Sequence, residues 1–319
     1  MTGDAKEDRT ARPVVIVTGG SRGLGREVVL RFARGGWNVV VNYARSEEKA
    51  RATAEEARIA GRDAGEVARP SWPCSTADGV ARPSRPCPST GETPVIREED
   101  RITGKMPVSQ DGDRITGRMP VPQTSVPQNM PEVDAAVVQA DVGDLSSHER
   151  LIGAAMERWG RLDCLVNNAA VMSNILLASM SAADWDAEMR VDLAGPMALA
   201  RRAAAAMGPG GSIVNVISIC GLWGCAGACA YSAAKGALGG FTAGMAPELA
   251  ARGIRINAIT PGYMATDMGL AAPRAMEIAR SRHAMNELSD PRGGAEFIFR
   301  LAAELRVSGQ VFTLEGRIR

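Results

Sequence analysis

Long apolar runs and an excess of charge of either sign are both missing from this 319-residue sequence. Lys and Arg total 37 and Asp and Glu total 36, which gives a formal net charge of +1. This balance does not supply the basic surface that nucleic-acid binding needs, so we expect no nucleic-acid partner. No apolar run reaches the roughly 18 residues of a membrane helix, and no basic-then-apolar leader opens the chain, so we expect a cytoplasmic protein without membrane contact.

Histidine and cysteine, two common metal ligands, are also scarce. The chain has 2 histidines and 6 cysteines, too few cysteines for the disulfide framework of a small secreted domain. Cys220, Cys225 and Cys229 fall close together, which makes a zinc site worth weighing, but no Cys-x-x-Cys pair occurs. We therefore favour small side chains filling a loop, and we predict no metal.

Proline is concentrated in one polar stretch. Between Gly61 and Pro131 lie 11 of the 18 prolines, without sustained apolar periodicity. Such a composition cannot bury enough apolar surface to offset chain entropy, so we predict a disordered insert over 66–131. Within it, DRITGKMPVSQ (100–110) recurs as DRITGRMPVPQ (113–123). We interpret the repeat as a tolerated duplication; a docking segment for a partner is the alternative.

What the sequence does contain begins with a glycine-rich turn. A short β-branched strand over 13–17 runs into TGGSRGLG (18–25) and then into the helical pattern REVVLRFARGG. A strand, a glycine turn and a helix N-terminus together bind a pyrophosphate, because backbone N–H groups and the helix dipole converge on the anion. No Gly-Lys-Ser/Thr follows, which argues against a nucleoside-triphosphate loop.

The end of the second strand bears on the choice of cofactor. WNVVVNY (37–43) ends at Asn42 and Tyr43 rather than at an acidic residue. An acid at this point suits the ribose hydroxyl of NAD, whereas arginines suit the 2′-phosphate of NADP. Arg22 and Arg45 supply such charges, so we predict NADP(H) in preference to NAD(H).

Further apolar strands alternate with helical segments. One strand ends at Asp141 and Val142, and the continuous run LDCLVNNAAVM leads into Asn168 and Ala169. This alternation predicts an α/β fold with a doubly wound parallel sheet of the Rossmann type, with ligands at the carboxyl ends of the strands. We expect a single domain over 12–319 that the 66–131 insert interrupts.

Three polar side chains form the candidate catalytic group. Tyr231 and Lys235 are four residues apart in a helical run, so their side chains are neighbours on one face. Lowering a phenol pKa from about 10 toward neutrality takes roughly 4 kcal/mol, about what one charge at ~4 Å supplies at an effective dielectric of ~20. Ser218, at the end of the strand SIVNVIS, is placed to hydrogen-bond a carbonyl while Tyr231 protonates it. An ordinary helix pair is the alternative for Tyr231 and Lys235 taken alone.

The motifs occur in an order that resembles the short-chain dehydrogenase/reductase family, and within it the bacterial 3-oxoacyl-[acyl-carrier-protein] reductases. The resemblance is carried by TGGSRGLG, Asp141-Val142, NNAA, Ser218, YSAAK and NAITPGYMATDM. It covers the chain outside the insert and implies an NADP(H)-dependent enzyme that interconverts a ketone and a secondary alcohol.

The resemblance also implies roles for individual residues. The pyrophosphate and the adenine-side ribose with its 2′-phosphate are assigned to Gly19, Ser21, Arg22, Gly23, Leu24, Gly25 and Arg45. The adenine is assigned to Asp141 and Val142, the nicotinamide-side ribose to Asn168 and Ala169, and the nicotinamide to Pro261, Gly262, Met264 and Thr266. Tyr231 is implied as the proton donor, Ser218 as the residue that orients the carbonyl, and Lys235 as the group that binds ribose hydroxyls and lowers the tyrosine's pKa.

One position departs from the family pattern. The segment MRVDLAGP carries Asp192 where the family usually has a catalytic asparagine. A carboxylate near Lys235 opposes part of the tyrosine's activation, so we expect lower turnover or a shifted pH optimum.

The substrate is left open by the residues themselves, because sugar, steroid, quinone and acyl-thioester reductases share these motifs. The resemblance favours a 3-oxoacyl thioester on acyl carrier protein, with Arg190, Arg201 and Arg202 as candidate docking residues, and a homo-oligomer, either a dimer or a tetramer. Residues 263–285 are interpreted as a methionine-rich lid, or alternatively as a core helix. A dinucleotide-binding protein without catalysis, using the insert to recruit a partner, is the second hypothesis.

Overall fold

The computed structural model describes residues 12–62 and 132–317. The strands in these ranges are Val14–Val17 (β1), Asn38–Tyr43 (β2), Ala135–Gln139 (β3), Cys164–Asn167 (β4), Ser212–Val216 (β5), Arg255–Thr260 (β6) and Val311–Thr313 (β7). They form one parallel sheet in the order β3-β2-β1-β4-β5-β6-β7. The order reverses between β1 and β4, which is the point where doubly wound sheets bind ligands.

Helices connect these strands. In the described ranges they are Gly23–Arg34 (α1), Glu47–Arg62 (α2), His148–Trp159 (α3), Ala182–Met189 (α4), Gly195–Ala206 (α5), Cys220–Trp223 (α6), Cys229–Ala250 (α7), Asp267–Leu270 (α8), Pro273–Arg282 (α9) and Pro291–Ala303 (α10). A π-helical turn, Arg190–Ala194, joins α4 to α5. The prediction of an α/β Rossmann-type sheet is confirmed.

The central strands are apolar on both sides because helices cover both faces of the sheet. Val15 and Val17 pack in one core with Ile298 of α10, whereas Val14 and Ile16 pack in another with residues of α3, α5 and α7. Alternate side chains of one strand thus enter opposite cores, which explains the unbroken apolar sequence of β1. The sheet is fixed from both sides, and its carboxyl edge is a rigid support for the loops that follow each strand.

The ends of the described ranges lie close together. Arg62 at the end of α2 pairs with Glu132 just before β3, at 3.5 Å between Nε and Oε2. A side chain at Gly61 would contact Val133, so the two segments pack directly. The disorder predicted for 66–131 lies outside the described residues. Both neighbouring segments lie at the amino end of β3, away from the carboxyl edge.

The 263–285 segment contains two short helices, α8 and α9. Met264 is buried in the core that contains Val15, whereas Met285 is 72% exposed. The alternative of a single core helix is therefore wrong, because the segment runs from the core to the surface. Among the described residues, no helix has both the length and the apolarity needed to cross a bilayer.

Candidate active site

The candidate residues follow four neighbouring strands at the carboxyl edge of the sheet. The glycine turn follows β1, Asn168 and Ala169 follow β4, Ser218 follows β5, and Pro261 follows β6. Thr18 links the first two: its Oγ1 accepts from the backbone N–H of Asn168 (2.9 Å) and of Ala169 (3.0 Å). The fold therefore brings together segments that are far apart in the sequence.

The glycine turn passes so close to its surroundings that side chains are excluded. A Cβ on Gly25 would lie 2.2 Å from the carbonyl oxygen of Gly19 and 2.5 Å from Nδ2 of Asn168. The turn leads into the N-terminus of α1, where backbone N–H groups are available to an anion. Gly25 thus lets the start of α1 pack directly against the turn. The residues present fit a pyrophosphate, because this packing holds the N–H groups of the helix N-terminus beside the turn.

Asn42 has a structural role that the sequence did not reveal. Its Oδ1 accepts from the backbone N–H of Gly19 at 3.2 Å, and its Nδ2 donates to the carbonyl of Ala140 at 2.9 Å. The asparagine joins the glycine turn to the segment before Asp141. An acidic residue would lack the N–H donor that this second contact requires.

Three charged side chains gather beside the glycine turn. Arg22 Nη1 lies 2.9 Å from Oδ2 of Asp267, and Lys49 Nζ lies 3.6 Å from the same oxygen. Hydrogen bonding to Arg22, followed by the charge of Lys49, lowers the pKa of Asp267. Arg22 was predicted here; Lys49 and Asp267 were not, although Asp267 lies within the quoted segment NAITPGYMATDM and Lys49 is close in sequence to Arg45.

A cavity of about 830 Å³ lies among residues that follow β2, β3 and β4. Its lining residues include Arg45, Asp141, Val171, Glu188 and Arg190. The predicted residues Arg45 and Asp141 thus share one cavity. Three arginines were predicted to contact acyl carrier protein, and one of them, Arg190, lines this cavity. Arg202 contacts His148, and Arg201 is exposed on α5.

The loop after β6 closes toward the glycine turn. A Cβ on Gly23 would meet the Thr266 side chain at 3.2 Å. The side chains of Met264 and Leu24 both lie next to Gly294, where a Cβ would contact both of them. Ser21 is buried, and its carbonyl accepts from the Thr53 hydroxyl. Pro261 and Gly262 follow β6 directly, so the four predicted residues of this loop lie at the same edge as the turn.

Tyr231 and Lys235 lie in the first turns of α7, and both are buried, with exposures of 8% and 2%. The lysine Nζ lies 5.6 Å from the centroid of the tyrosine ring and donates to the carbonyl of Val216 at 3.3 Å. Ser218 acts on the same tyrosine, since hydrogen bonding by its side chain opposes the rise in the pKa of Tyr231. The structure therefore brings the three candidate catalytic residues together.

Asp192 is fully buried in the π-helical turn, and its Oδ1 lies 3.1 Å from Lys235 Nζ. Its Oδ2 accepts from the backbone N–H of Val171 at 3.3 Å. Burial raises the pKa of Asp192 against the opposing effect of Lys235. Burial acts to lower the pKa of Lys235, but the charges of Asp192 and Tyr231 outweigh it, so the net direction is upward.

The net pKa of Tyr231 is raised, and the expectation of a net decrease is wrong. Burial is the largest cause; Lys235 lowers the pKa as expected, but the carboxylates of Asp192 and Glu188 raise it again. The charge of Lys235 alone would lower the pKa, but burial removes water from the phenolate and the nearby carboxylates repel it, and both effects raise the pKa.

Glu188 was missed in the sequence. It is 2% exposed, and its Oε1 accepts from the hydroxyl of Ser173 at 2.6 Å and from the backbone N–H of the same residue. Glu188 and Asp192 thus both hold the loop after β4, one through Ser173 and the other through Val171. Their spacing of four residues along one helical face was the available signal.

The cysteines after Ser218 correct a second interpretation. Cys220 and Cys225 form a disulfide, and Cys229 Sγ lies 3.9 Å from Met180 Sδ. The cysteines therefore do more than fill a loop. A separation of five residues does not by itself reveal a disulfide, because pairing depends on the turn between them. In the described ranges, no cluster of His, Cys, Asp or Glu side chains is arranged to hold a metal ion.

Comparisons with known proteins agree on one family. A family model described as "Enoyl-(Acyl carrier protein) reductase" matches residues 117–316, and one described as "short chain dehydrogenase" matches residues 13–68. A 3-oxoacyl-[acyl-carrier-protein] reductase of Synechocystis sp. is 34% identical over 188 residues, which cover 57% of this chain and 75% of the relative. The reductase FabG of Thermotoga maritima is 36% identical over 181 residues, covering 55% of this chain and 74% of the relative.

Solved structures show the same fold. A short-chain dehydrogenase from Burkholderia cenocepacia, in complex with NADP, superposes with a TM-score of 0.72 at 24% identity, covering 97% of this chain and 99% of that one. A dehydrogenase/reductase from Sinorhizobium meliloti gives 0.71 at 26% identity, covering 96% and 95%.

Proposed function

This chain belongs to the short-chain dehydrogenase/reductase family, and from that premise we propose that it is an NADP(H)-dependent oxidoreductase that reduces the ketone of a 3-oxoacyl thioester to a secondary alcohol. The observation that carries the proposal is the convergence of Ser218, Tyr231 and Lys235 at the carboxyl edge that also holds the glycine turn. We take residues 12–319, apart from the 66–131 insert, as one catalytic domain.

NADPH supplies the hydride when it is bound. The backbone at Gly19, Gly23 and Gly25 would hold the pyrophosphate, with Ser21 and Leu24 completing the turn. Arg22 and Arg45 would bind the 2′-phosphate, and Lys49, which shares the Asp267 carboxylate with Arg22, would add a third positive charge. The Burkholderia cenocepacia short-chain dehydrogenase, whose solved structure is a complex with NADP, supports this choice.

The remaining cofactor contacts follow the strand ends. Asp141 and Val142 would hold the adenine, and Asn168 and Ala169 the nicotinamide-side ribose. Pro261, Gly262, Met264 and Thr266 would hold the nicotinamide.

Tyr231 donates its proton to the carbonyl oxygen during reduction and removes it during oxidation. Ser218 hydrogen-bonds the same oxygen and so fixes its position. Lys235 binds the ribose hydroxyls and lowers the cost of a negative charge on Tyr231. Asp192 acts in the opposite direction, because its carboxylate pairs with Lys235 and raises the pKa of Tyr231.

An acyl-thioester substrate is supported by the names of the relatives and by the surface beside Ser218. The loops after β4 and β5 expose Leu176 (64%), Leu177 (69%) and Leu222 (47%) at the same edge of the sheet. Such side chains suit an acyl chain better than a sugar. We propose that acyl carrier protein carries the substrate and that Arg190, which lines the cavity, contacts the carrier. We also propose that the protein is a homo-oligomer, either a dimer or a tetramer, and acts in fatty acid biosynthesis in the cytoplasm.

The test is a substrate comparison with purified protein. Acetoacetyl-CoA, a steroid ketone and a ketose are each incubated with NADPH and with NADH, and the loss of reduced cofactor and the product mass are recorded. We expect the thioester with NADPH to give the highest kcat/KM. Preference for the sugar or the steroid would contradict the substrate assignment, and cofactor binding without oxidation would favour the dinucleotide-binding alternative.

A further inference from the structure

We propose that Cys220 and Cys225 are a redox modification site, where thiol–disulfide exchange with a dithiol sets the position of Ser218. The effect on catalysis rests on the proposed function, whereas the exchange itself does not. The two cysteines enclose α6, in the loop that leads from Ser218 to Tyr231.

The disulfide-closed loop is bonded directly to Ser218. The backbone N–H of Cys220 donates to the Ser218 hydroxyl oxygen at 3.2 Å, and the N–H of Gly221 donates to the Ser218 carbonyl at 2.9 Å. The hydroxyl oxygen thus receives a bond from one of the two cysteines that form the disulfide. A change in the backbone of Cys220 therefore moves the group that orients the carbonyl.

The same loop also rests against α7. A Cβ on Gly221 would lie 2.7 Å from the carbonyl carbon of Lys235 and 2.6 Å from the backbone nitrogen of Gly236. No side chain fits there, so the loop backbone contacts the helix backbone at the catalytic lysine. The disulfide therefore closes a segment that lies between Ser218 and Lys235.

Reagents can reach this disulfide. Cys220 and Cys225 are each half-buried, and Leu222, Trp223 and Gly224 between them are exposed. A disulfide that reagents can reach is more labile than a fully buried structural one. The bridge also spans a sequence separation of only five residues, so it adds less to global stability than a bridge closing a long loop. Both properties suit a reversible modification rather than a structural staple.

The exchange balances with a dithiol as the reductant. A thiolate of the dithiol attacks one cysteine sulfur, the Cys220–Cys225 bond breaks, and the departing cysteine takes up a proton. The second thiolate of the dithiol then attacks the mixed disulfide and releases the other cysteine, which is also protonated. Two electrons and two protons pass to the protein, and the dithiol leaves as its own disulfide.

Reduction releases the constraint on α6 and therefore on the Cys220 N–H that holds Ser218. We expect the reduced protein to have a lower kcat, because the carbonyl is less well oriented. NADPH affinity should change less than kcat, since the glycine turn makes none of these contacts and the loop touches only the backbone at Lys235.

The experiment equilibrates the full-length protein in mixtures of reduced and oxidised dithiothreitol. Free thiols are then alkylated, and the oxidation state of each cysteine peptide is measured by mass spectrometry. Turnover of acetoacetyl-CoA, NADPH binding, and hydrogen exchange of residues 218–230 are measured on the same samples. We expect the Cys220–Cys225 disulfide to be reduced in a single two-electron step, and amide exchange to be faster in the reduced loop. We also expect the reduced protein to have a kcat lower by about threefold or more. A misplacement of 1 Å can cost roughly 100-fold in rate, so a loss of this size needs only a small shift of Ser218.

Two variants isolate the pair. The kcat of the double variant Cys220→Ser/Cys225→Ser should not change with dithiothreitol. Cys229→Ser, at the start of α7 just after the loop, should keep the wild-type response. The proposal is overturned if the Cys220–Cys225 bond does not exchange, or if it exchanges with unchanged kcat and unchanged amide exchange. If no ketone is turned over, the proposed function fails separately, and amide exchange of residues 218–230 alone decides the redox proposal.

Discussion

At the scale of single residues, Asp192 has the largest effect on the proposed chemistry. Its carboxylate is buried, pairs with Lys235 at 3.1 Å, and raises the pKa of Tyr231. An asparagine has nearly the same shape but carries no charge, so one substitution separates the electrostatic effect from packing. The lysine would then be released from a buried ion pair to act on the tyrosine alone.

We predict that Asp192→Asn shifts the pH–rate profile of alcohol oxidation to lower pH. Removing the anion favours the phenolate, so the pKa of Tyr231 falls and the base form is present at lower pH. The measurement is kcat against pH for the 3-hydroxyacyl thioester with NADP. Asp186→Asn, an exposed position on the preceding helix α4, is the matched control. A profile identical to wild type in both variants would remove Asp192 from the mechanism.

The second prediction at this scale concerns Arg22. Because a hydrogen bond to a charged group is worth about 1.5–3 kcal/mol, Arg22→Ala should weaken NADPH binding by about tenfold or more. NADH, which lacks the 2′-phosphate, should bind as it does to wild type. Titration of both cofactors checks this, with Arg26→Ala as control, since Arg26 pairs instead with Glu27 and Glu56. An equal loss for both cofactors would show that Arg22 does not distinguish them.

At the scale of elements, the glycine turn and α1 form one unit. A Cβ at Gly25 would lie 2.2 Å from a backbone oxygen, whereas a Cβ at Gly153 of α3 would have Glu157 Oε1 at 3.5 Å as its neighbour. Both glycines lie in helices, but Gly25 is tightly packed and Gly153 is not. Substitution by alanine should therefore disturb the structure at Gly25 and stabilise the helix at Gly153.

We therefore predict that Gly25→Ala abolishes NADPH binding, because the backbone must move to accept the methyl group and the phosphate site is lost. Gly153→Ala should bind normally and be more stable by about 0.5–1 kcal/mol, since alanine favours the helix. Cofactor titration and thermal unfolding measure the two effects. Wild-type affinity in Gly25→Ala would mean that the cofactor does not approach this turn.

At the scale of the whole molecule, the sheet and the order of its ligand loops were predictable from the sequence. Apolar strands alternate with helical segments, and polar residues follow each strand, so parallel pairing alone places them at one edge. Contacts between distant segments were not predictable in this way. The Asp267 carboxylate meets Arg22 and Lys49 across more than 200 residues, and no local pattern marks such a pair.

The pKa of Tyr231 and the Cys220–Cys225 disulfide were missed for related reasons. The tyrosine's pKa depends on how deeply three elements bury it and on which carboxylates they place beside it. The disulfide depends on a single turn of helix that brings the two cysteines together. Both are properties of packing, which periodicity and spacing do not specify.

The 66–131 insert provides the prediction that belongs to the whole molecule. The side chains of Arg62 and Glu132 pair at 3.5 Å between Nε and Oε2, and Gly61 packs against Val133, so a short linker can join the neighbouring segments. We predict that a variant with 66–131 replaced by a short Gly/Ser linker keeps NADPH binding and the wild-type kcat. A soluble, folded variant that has lost cofactor binding would contradict the prediction that cofactor binding does not need the insert.

The central claim is that Tyr231 transfers the proton at a site that also binds NADPH. The most direct measurement is NADPH oxidation with acetoacetyl-CoA by wild type and by Tyr231→Phe, with NADPH affinity determined for both. We predict equal affinity within about twofold and a loss of kcat of about 100-fold to 10,000-fold, the usual contribution of a general acid. A phenylalanine variant that turns over at the wild-type rate would contradict the account.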